Sequence, residues 1–334
     1  MSAETIVVTG GCGFIGHHFV EHLLKHTTMN VVIIDRLSYA SSGFDRLRDV
    51  SAFDDKRVRL FTTDLRGGID ECLESEIGEV DYAVHMAAET HVDNSITGPI
   101  KFVESNVMAT AHLLEWARRR KGLKKLLYFS TDEVFGPAPV GTNYKEWDRY
   151  NSTNPYSATK AGGEELCLAW ANTYGVPAVI THTMNVFGER QHPEKFIPKV
   201  IRSVLTGETV PIHANAARTV AGSRFYIHAR NVAASVLFLL GQSQRREKYN
   251  IVGEQEVDNL SLAETIASIL GKKLHFELVD FHGSRPGHDL RYALDGDRLL
   301  SMGWKHPKMF VDSLRKTVEW TVRPENARWL KVGV

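Results

Sequence analysis

A glycine-rich loop near the start of the chain constrains its fold more than any other feature. Residues 10–16 (GGCGFIG) follow a short β-branched run, Thr5–Thr9, and precede a stretch with helical periodicity. Glycines at such a junction permit a tight turn and let backbone N–H groups approach a pyrophosphate at the helix N-terminus. The strand before the loop and the helix after it make this signal strong. We therefore predict a dinucleotide-binding loop that contains Gly10, Gly13, Phe14, Ile15 and Gly16.

Strands and helices continue to alternate through the first half of the chain. Strands separated by helices form a parallel sheet with right-handed crossovers. The predicted fold class is therefore α/β, a doubly wound parallel sheet of the Rossmann type with a smaller C-terminal α/β substrate lobe. Further strands are predicted at Asn30–Asp35, Val58–Thr62, Tyr82–Met86, Lys125–Ser130 and Ala178–Thr183, with helices near residues 100–120 and 156–174.

The pattern changes after about Phe187, where prolines and glycines interrupt the periodic segments. We predict a dinucleotide-binding domain over residues 1–186, with 225–255 returning to it. The second lobe is predicted to comprise residues 187–224 and 256–330. Within it, Leu262–Leu270 has the pattern of a helix, with Ser261 as N-cap and Glu264 completing a capping box.

Composition narrows the classes of protein. The 334 residues carry no formal net charge and no basic stripe, so nucleic acid is not an expected partner. No apolar run approaches the length of a membrane helix, so a membrane is not expected either. The three cysteines fit no zinc or redox spacing, and we expect a cytoplasmic protein in a reducing setting.

The end of the second predicted strand indicates which dinucleotide is bound. A carboxylate at Asp35 would accept hydrogen bonds from the adenosine ribose and repel a 2′-phosphate, which favours NAD over NADP. Arg36 is a counter-signal, because arginine can bind that phosphate. Asp64 is expected near the adenine amine, with a loop cap as the alternative. The residues predicted to contact the adenosine and the cofactor backbone are Asp35, Arg36, Asp64, Leu65, Ala87 and Ala88.

Tyr156 and Lys160 lie four residues apart on a predicted helix, so they share one face. An ammonium near a phenol stabilises the phenolate and lowers its pKa from about 10. Such a phenolate can take a proton from a sugar hydroxyl while hydride leaves for nicotinamide, and Lys160 can also hold the nicotinamide ribose. The alternative is an exposed helical tyrosine and lysine, but the dinucleotide loop upstream favours the functional interpretation.

Thr131, Asp132 and Glu133 directly follow the fifth predicted strand, at the sheet edge where substrates bind. Neighbouring strand residues point to opposite faces, so both carboxylates can line one pocket only if the chain leaves strand geometry here. Gly136 and Pro137 indicate such an exit. Crowded carboxylates do not both ionise easily, which leaves one acid and one base. Thr131 would bond the hydroxyl being oxidised; the alternative for the segment is a solvated acidic turn.

Together these two motifs indicate three steps on one sugar. Oxidising C4 to a ketone makes the C5 proton removable by a carboxylate. The C6 hydroxyl then leaves as water after protonation by an acid. The resulting alkene accepts the hydride back, so the cofactor is regenerated in each turnover.

Several motifs resemble the extended short-chain dehydrogenase/reductases, and among them the NDP-glucose 4,6-dehydratase family. The resemblance covers nearly the whole chain. It rests on GGCGFIG from Gly10, DRLSYA from Asp35, AAETHVDNS from Ala87, STDEVFG from Ser130, NPYSATK from Asn154, HPEKFIP from His192 and RPGHDLRY from Arg285.

The resemblance implies roles at the matching positions. Tyr156 and Lys160 would oxidise C4, Thr131 would orient its hydroxyl, Asp132 would be the acid at C6 and Glu133 the base at C5. Asn185, Glu194 and Lys195 would bind sugar and phosphate, and Arg285 and His288 the nucleotide diphosphate; His91 joins them as a predicted substrate contact. A second phosphate-binding arginine would be Arg218 or Arg224. No metal is implied.

Some residues depart from the family pattern. Phe187-Gly188-Glu189 stands where the family usually has Tyr-Gly-Pro, and Phe135 replaces a usual tyrosine. These changes leave UDP-glucose open beside dTDP-glucose as substrate. Two other functions stay open: a 4-epimerase or decarboxylase, which needs no acid–base pair at C5 and C6, and a non-catalytic NAD-binding protein.

Two further patterns concern helix surfaces. His18, His22 and His26 are spaced as on one helix face, but we expect a solvated face there and no metal site. The helices near residues 100–120 and 156–174 carry apolar stripes whose default role is core packing. The family resemblance implies that they also pair across a two-fold axis in a homodimer.

Overall fold

A seven-stranded, fully parallel sheet forms the centre of the protein. The computed structural model describes residues 3–280 and 290–330. The sheet has the order β11-β6-β5-β4-β1-β2-β3, which places β1 beside the reversal of strand order. Its strands are β1 Thr5–Thr9, β2 Asn30–Asp35, β3 Val58–Thr62, β4 Tyr82–His85, β5 Lys125–Thr131, β6 Ala178–Thr183 and β11 Glu247–Ile251.

Helices cover both faces of this sheet and also build the second lobe. In chain order they are α1 Phe14–His26, α2 Asp45–Asp49, α3 Glu71–Ile77, α4 Val92–Thr97, α5 Pro99–Phe102, α6 Ala109–Arg118, α7 Pro155–Tyr174, α8 Phe196–Thr206, α9 Ala229–Leu240, α10 Asn259–Leu270, α11 Asp297–Ser301 and α12 Phe310–Thr321. None of the helices in the described part of the chain combines the length and the apolar character that crossing a membrane requires.

The alternation of side chains along β1 explains why the domain has three layers, with helices packed on both faces of the central sheet. Ile6 and Val8 pack into a buried cluster with residues of α1 and α9. Val7, between them, faces a second cluster formed with α6 and α7. A parallel strand that is buried on both faces needs a continuous apolar sequence, which is what the predicted strands show.

The predicted doubly wound sheet is confirmed, with small differences at strand ends. β4 ends at His85, and β5 continues to Thr131. The predicted helix near 100–120 is not one regular helix, because a π-helical segment, Val103–Met108, lies between α5 and α6. β11 pairs with β6 and extends the sheet at that edge.

The second lobe packs α8, α10 and α12 around its own apolar cluster. Three two-stranded sheets accompany it: β7 Val186–Phe187 with β10 Ile227–His228, β9 Ser223–Phe225 with β12 Glu256–Asp258, and β8 Val210–Ala214 with β13 Phe276–Asp280. The domain boundaries themselves stay a prediction.

The predicted N-cap of α10 is wrong. The helix begins at Asn259, and the Asp258 carboxylate accepts a hydrogen bond from the Ser261 amide at 2.9 Å. Ser261 therefore lies inside the first turn. The physical reason is that β12 ends at Asp258, so the chain turns into the helix there.

Candidate active site

One cavity of about 360 Å³ opens at the carboxyl ends of the sheet strands. Every residue predicted above to bind the cofactor or to act in catalysis lines it, and so do Asn185, Glu194 and Lys195. The structure thus brings together side chains that are widely separated in the sequence. Large parallel sheets hold ligands at this edge, beside the reversal of strand order.

The glycine loop packs too tightly for any side chain at two of its positions. Gly10 has φ +74°, and a Cβ there would lie 2.7 Å from the Ala87 amide nitrogen. A Cβ on Gly16 would lie 2.1 Å from the Gly10 carbonyl oxygen. α1 begins within this loop, so its free N–H groups face the cavity edge. The loop therefore has the form that a pyrophosphate requires.

Backbone hydrogen bonds fix the Asp35 carboxylate at the end of β2. Its Oδ2 accepts from the Cys12 amide at 2.9 Å, and its Oδ1 accepts from the Leu37 amide at 2.8 Å. Burial raises the pKa of Asp35, while these two bonds oppose the rise. Each oxygen keeps a lone pair for a ribose hydroxyl, so the residue fits the NAD-specific role predicted for it.

Arg36, the counter-signal in the sequence, is held by carboxylates. Its guanidinium contacts Asp64 Oδ2 at 3.5 Å and also pairs with Glu89. Asp64 in turn caps the short 3₁₀ helix Leu65–Gly67 by accepting from the Arg66 amide at 3.0 Å. Asp64 therefore acts as the loop cap that the sequence offered as an alternative, and its side chain also lines the cavity.

The chain leaves strand geometry directly after Thr131, as the sequence analysis required. Asp132–Phe135 form a 3₁₀ turn, and Gly136 ends it with φ +74°. A Cβ on Gly136 would lie 2.3 Å from the Asn151 carbonyl oxygen, so the turn packs closely against the following loop. This exit directs both carboxylates to one cavity instead of to opposite faces of the sheet.

Asn154 is a site residue that the sequence analysis did not identify. It is the N-cap of α7, where its side chain accepts from the Ser157 amide at 2.8 Å. Its Nδ2 donates to Glu133 Oε2 at 3.0 Å. The available signal was an asparagine before a proline at the start of a helix. Asn154 thus joins the helix that carries Tyr156 to the carboxylate pair.

Burial raises the pKa values of both carboxyl groups toward neutral pH. It raises the pKa of Asp132 to about 6. For Glu133, burial and then the charge of Asp132 raise the pKa to about 7, against the Asn154 hydrogen bond. Thr131 donates to Asp132 Oδ1 at 3.0 Å. Because the charge of Asp132 raises the pKa of Glu133, the two carboxyls titrate as a coupled pair near neutral pH.

The expected lowering of the Tyr156 pKa by Lys160 is wrong for the protein alone. Burial, followed by the charge of Glu133, raises the pKa of Tyr156, while a hydrogen bond with Thr131 lowers it. The Lys160 ammonium donates to the Phe129 carbonyl at 2.7 Å and lies 4.2 Å from the centre of the Tyr128 ring. Its charge is thus directed toward β5.

Glu194 connects several loops at the mouth of the cavity. It lies 3.8 Å from Nε2 of His91 and 3.5 Å from Nδ1 of His192, and it accepts a hydrogen bond from the Tyr39 hydroxyl at 3.4 Å. His91 is not among the lining residues and reaches the cavity through Glu194. Asn185 and Lys195 line the cavity directly.

The structure separates the two candidate arginines. Arg218 is exposed in the turn after β8. Arg224 lies on β9, donates to the Leu290 carbonyl at 2.6 Å, and has a charge that lowers the pKa of Asp132 and Glu133. Position therefore favours Arg224 over Arg218. Arg285 and His288 lie outside the described residues.

The departures from the family pattern have different locations. Phe187 lines the cavity, whereas Phe135 is buried behind it and stacks on Tyr144. Glu189 is buried and pairs with Arg230 at 2.9 Å. The expectation of a solvated face at His18 is wrong, because His18 is buried and its Nε2 donates to the Glu189 carbonyl at 3.2 Å.

Replacing Asn154 with alanine should damage both stability and the carboxylate pair. Loss of an N-cap costs about 1 kcal/mol of unfolding free energy. Without its hydrogen bond to Glu133, which lowers the pKa of that carboxyl, the pKa should rise further. The acid limb of any activity that needs ionised Glu133 should then move to higher pH, measured as kcat against pH.

Asp258→Ala removes the N-cap of α10 in the second lobe and serves as the matched control. We expect a similar fall in Tm with no movement of the acid limb. If the acid limb of kcat lies at the same pH in both variants, the contact between Asn154 and Glu133 does not set the protonation of the carboxyl pair.

Comparisons with known proteins agree with this arrangement. Residues 6–252 match the model of the NAD dependent epimerase/dehydratase family. A curated dTDP-glucose 4,6-dehydratase of Escherichia coli is 34% identical, over 98% of this chain and 94% of that protein. The solved structure of DesIV, a dTDP-glucose 4,6-dehydratase from Streptomyces venezuelae with NAD bound, is 35% identical, with a TM-score of 0.87 over 98% of this chain and 99% of that one. A Thermus thermophilus UDP-glucose 4-epimerase in complex with NAD is 27% identical, with a TM-score of 0.82 over 94% and 98%.

Proposed function

The chain belongs to the NAD dependent epimerase/dehydratase family, and on that premise we propose that it is an NAD-dependent NDP-glucose 4,6-dehydratase. The observation that carries the proposal is the exit of β5, which directs Asp132 and Glu133 into the cavity that Tyr156 and Lys160 also line. A 4-epimerase needs only the tyrosine and the lysine. The acid–base pair adds the capacity to eliminate water.

Each catalytic residue in the cavity has a separate role in the proposed reaction. Tyr156 removes the proton of the C4 hydroxyl, which Thr131 orients. Glu133 then removes the C5 proton, and Asp132 protonates the departing C6 hydroxyl. NAD held by the glycine loop and Asp35 would supply the hydride acceptor and donor for this sequence, and its positive charge would favour the ionised form of Tyr156.

Hydrogen bonds support this assignment of acid and base. Glu133 accepts an N–H bond from Asn154, which favours its ionised form. Asp132 Oδ2 is buried and has no hydrogen-bond partner among the described residues, so a proton on Asp132 avoids an unsolvated charge. This assignment runs against the order of the two pKa values, about 6 for Asp132 and about 7 for Glu133, which favours the proton on Glu133 in the protein alone. The Asn154 hydrogen bond and the unsatisfied Oδ2 of Asp132 are what support Asp132 as the acid.

The curated relatives favour dTDP-glucose over UDP-glucose as substrate. The E. coli and S. venezuelae proteins at 34–35% identity both bear the name dTDP-glucose 4,6-dehydratase. In this proposal, Asn185, Glu194, Lys195 and Arg224 contact the sugar and the diphosphate. The roles of Arg285 and His288 as diphosphate ligands remain part of the same proposal.

Incubation of the purified protein with dTDP-glucose, UDP-glucose or UDP-N-acetylglucosamine tests the proposal directly. We expect a product that is lighter by one water from dTDP-glucose, without net release of NADH. A product of unchanged mass would replace the dehydratase with an epimerase. Absence of turnover with all three sugars despite NAD binding would favour a non-catalytic protein.

The proposal includes a homodimer formed through the helices near 100–120 and 156–174. Large apolar side chains are exposed on these helices. Ile100 and Val103 are 67% and 41% exposed near the start of the first helix, and Met108 and Tyr174 are about half exposed. Ile100→Glu should shift the protein from dimer to monomer in sedimentation velocity. Val140→Glu, at a residue exposed elsewhere, should leave the dimer intact.

The proposal also retains the predicted division into two lobes and a cytoplasmic location. All three cysteines are free, and Cys12 and Cys167 are buried. Free thiols suit a reducing compartment.

A further inference from the structure

A fully buried carboxylate lies one helical turn beyond Lys160. Glu164 has no exposed surface and follows Lys160 by four residues on α7, so the two side chains share a helix face. Neither the family motif nor the steps described above give this residue a role. A buried charge is costly unless several groups hold it. The contacts of Glu164 therefore require an explanation.

Four polar groups surround the Glu164 carboxylate. The hydroxyls of Ser130 and Tyr150 donate to it, His182 Nε2 lies 2.9 Å from Oε2, and the Lys248 ammonium lies 3.7 Å from the same oxygen. Although burial opposes ionisation, the charge of His182 and these hydrogen bonds hold the pKa of Glu164 below its ordinary value. Glu164 is therefore a carboxylate anion inside the core.

Hydrogen bonds fix the orientation of the His182 ring against the Glu164 carboxylate. The amide nitrogen of Asn250 donates to two backbone carbonyls at 3.0 and 2.9 Å, so its Oδ1 is the atom that faces His182 Nδ1 at 2.9 Å. His182 Nε2 faces the Glu164 carboxylate. Nδ1 of the ring therefore donates to Asn250, and Nε2 lies between the Glu164 carboxylate at 2.9 Å and the Tyr150 hydroxyl at 3.2 Å.

The anion is tied to the strand that ends in the catalytic residues. Ser130, which bonds Glu164, directly precedes Thr131 on β5. On the same strand, the Phe129 carbonyl accepts from the Lys160 ammonium at 2.7 Å, and the Tyr128 hydroxyl donates to the Lys160 carbonyl at 3.3 Å. Three consecutive residues of β5 thus bind one turn of α7. A change at Glu164 is therefore transmitted to Lys160 by charge and by position.

We propose that Glu164 is a positioning residue, which supplies the buried negative charge that keeps Lys160 an ammonium one helical turn from Tyr156. The inference rests on the proposed function, because it concerns a lysine of that reaction. Burial lowers the pKa of Lys160 to about 8, even though the charge of Glu164, the strongest opposing influence, raises it. Other groups near Lys160 are Tyr128 on β5, His85 on β4, and Tyr156 and Cys167 on α7.

Glu164→Gln tests this role through a pH profile. Removing the anion should lower the pKa of Lys160, so the ammonium is lost at lower pH. The alkaline limb of kcat should then move toward acid by about one pH unit, as expected for charges one helical turn apart at the effective dielectric of proteins. A purely structural role would lower kcat and Tm at every pH and leave the limb in place.

Two variants serve as controls. Glu165→Gln removes the exposed neighbouring charge on α7, and its alkaline limb of kcat should lie at the wild-type pH. Glu164→Asp preserves the charge and should restore the limb even if kcat falls. An unmoved limb in Glu164→Gln, or an equal shift in Glu165→Gln, overturns the proposal.

A second readout does not depend on turnover. The pH dependence of reductive methylation at Lys160, followed by peptide mass spectrometry, reports its titration in each variant. The Glu164→Gln protein should methylate Lys160 at lower pH than the wild type. If the wild type dehydrates no nucleotide sugar, the proposed function fails, while this titration still decides the role of Glu164.

Discussion

Tyr156→Phe should reduce dehydration by about 10³–10⁴-fold, because it removes the group that takes the proton from the C4 hydroxyl. Every later step depends on that oxidation. The C5 proton becomes acidic only beside a C4 ketone, so the variant should also fail to exchange C5 hydrogen with solvent deuterium. Product mass and deuterium content, measured together by mass spectrometry, check both statements.

The fold should tolerate this substitution. The ring of Tyr156 packs edge-on against Phe102, with centroids 6.4 Å apart, and a phenylalanine keeps that contact. We therefore expect Tm to change by no more than a few degrees. Tyr174→Phe, at an exposed tyrosine on the same helix, should retain full activity. Substantial C5 exchange in the Tyr156→Phe protein would show that another group removes the C4 proton.

Local sequence patterns predicted the sheet domain well, for a physical reason. Each central strand is buried on both faces, so it must be a short, continuous apolar run, as in β1 and β2. The glycine loop was equally visible, because Gly10 and Gly16 have no room for a side chain. Features that depend on one segment and its immediate neighbours can be read from sequence alone.

Features that depend on distant partners were missed or left open. His18 is buried because Glu189, 171 residues further along the chain, accepts its hydrogen bond. The role of Glu164 depends on Ser130, His182 and Lys248, which no helical pattern connects to it. Local spacing also gave the wrong sign for the Tyr156 pKa, because burial outweighs a lysine whose ammonium binds β5.

Glu133→Gln should separate oxidation from elimination. Without a base for the C5 proton, dehydration should fall by about 10³-fold, and C5 should not exchange with solvent deuterium. C4 oxidation should survive, because the charge of Glu133 raises the pKa of Tyr156 and its removal favours the phenolate. The near-ultraviolet absorbance of reduced nicotinamide should therefore accumulate after mixing with substrate, which Tyr156→Phe should not show.

Asp132→Asn provides the contrast that assigns the two carboxylates. Glu133 stays intact in that protein and keeps its hydrogen bond from Asn154, so C5 exchange should continue while loss of water from C6 slows. Glutamine at 133 still offers Asn154 an acceptor, so any difference between the variants reflects the lost base and not a lost contact. If Glu133→Gln exchanges C5 normally and Asp132→Asn does not, the roles of acid and base are reversed. In that case Asp132, the carboxylate that Thr131 contacts through Oδ1, would be the base.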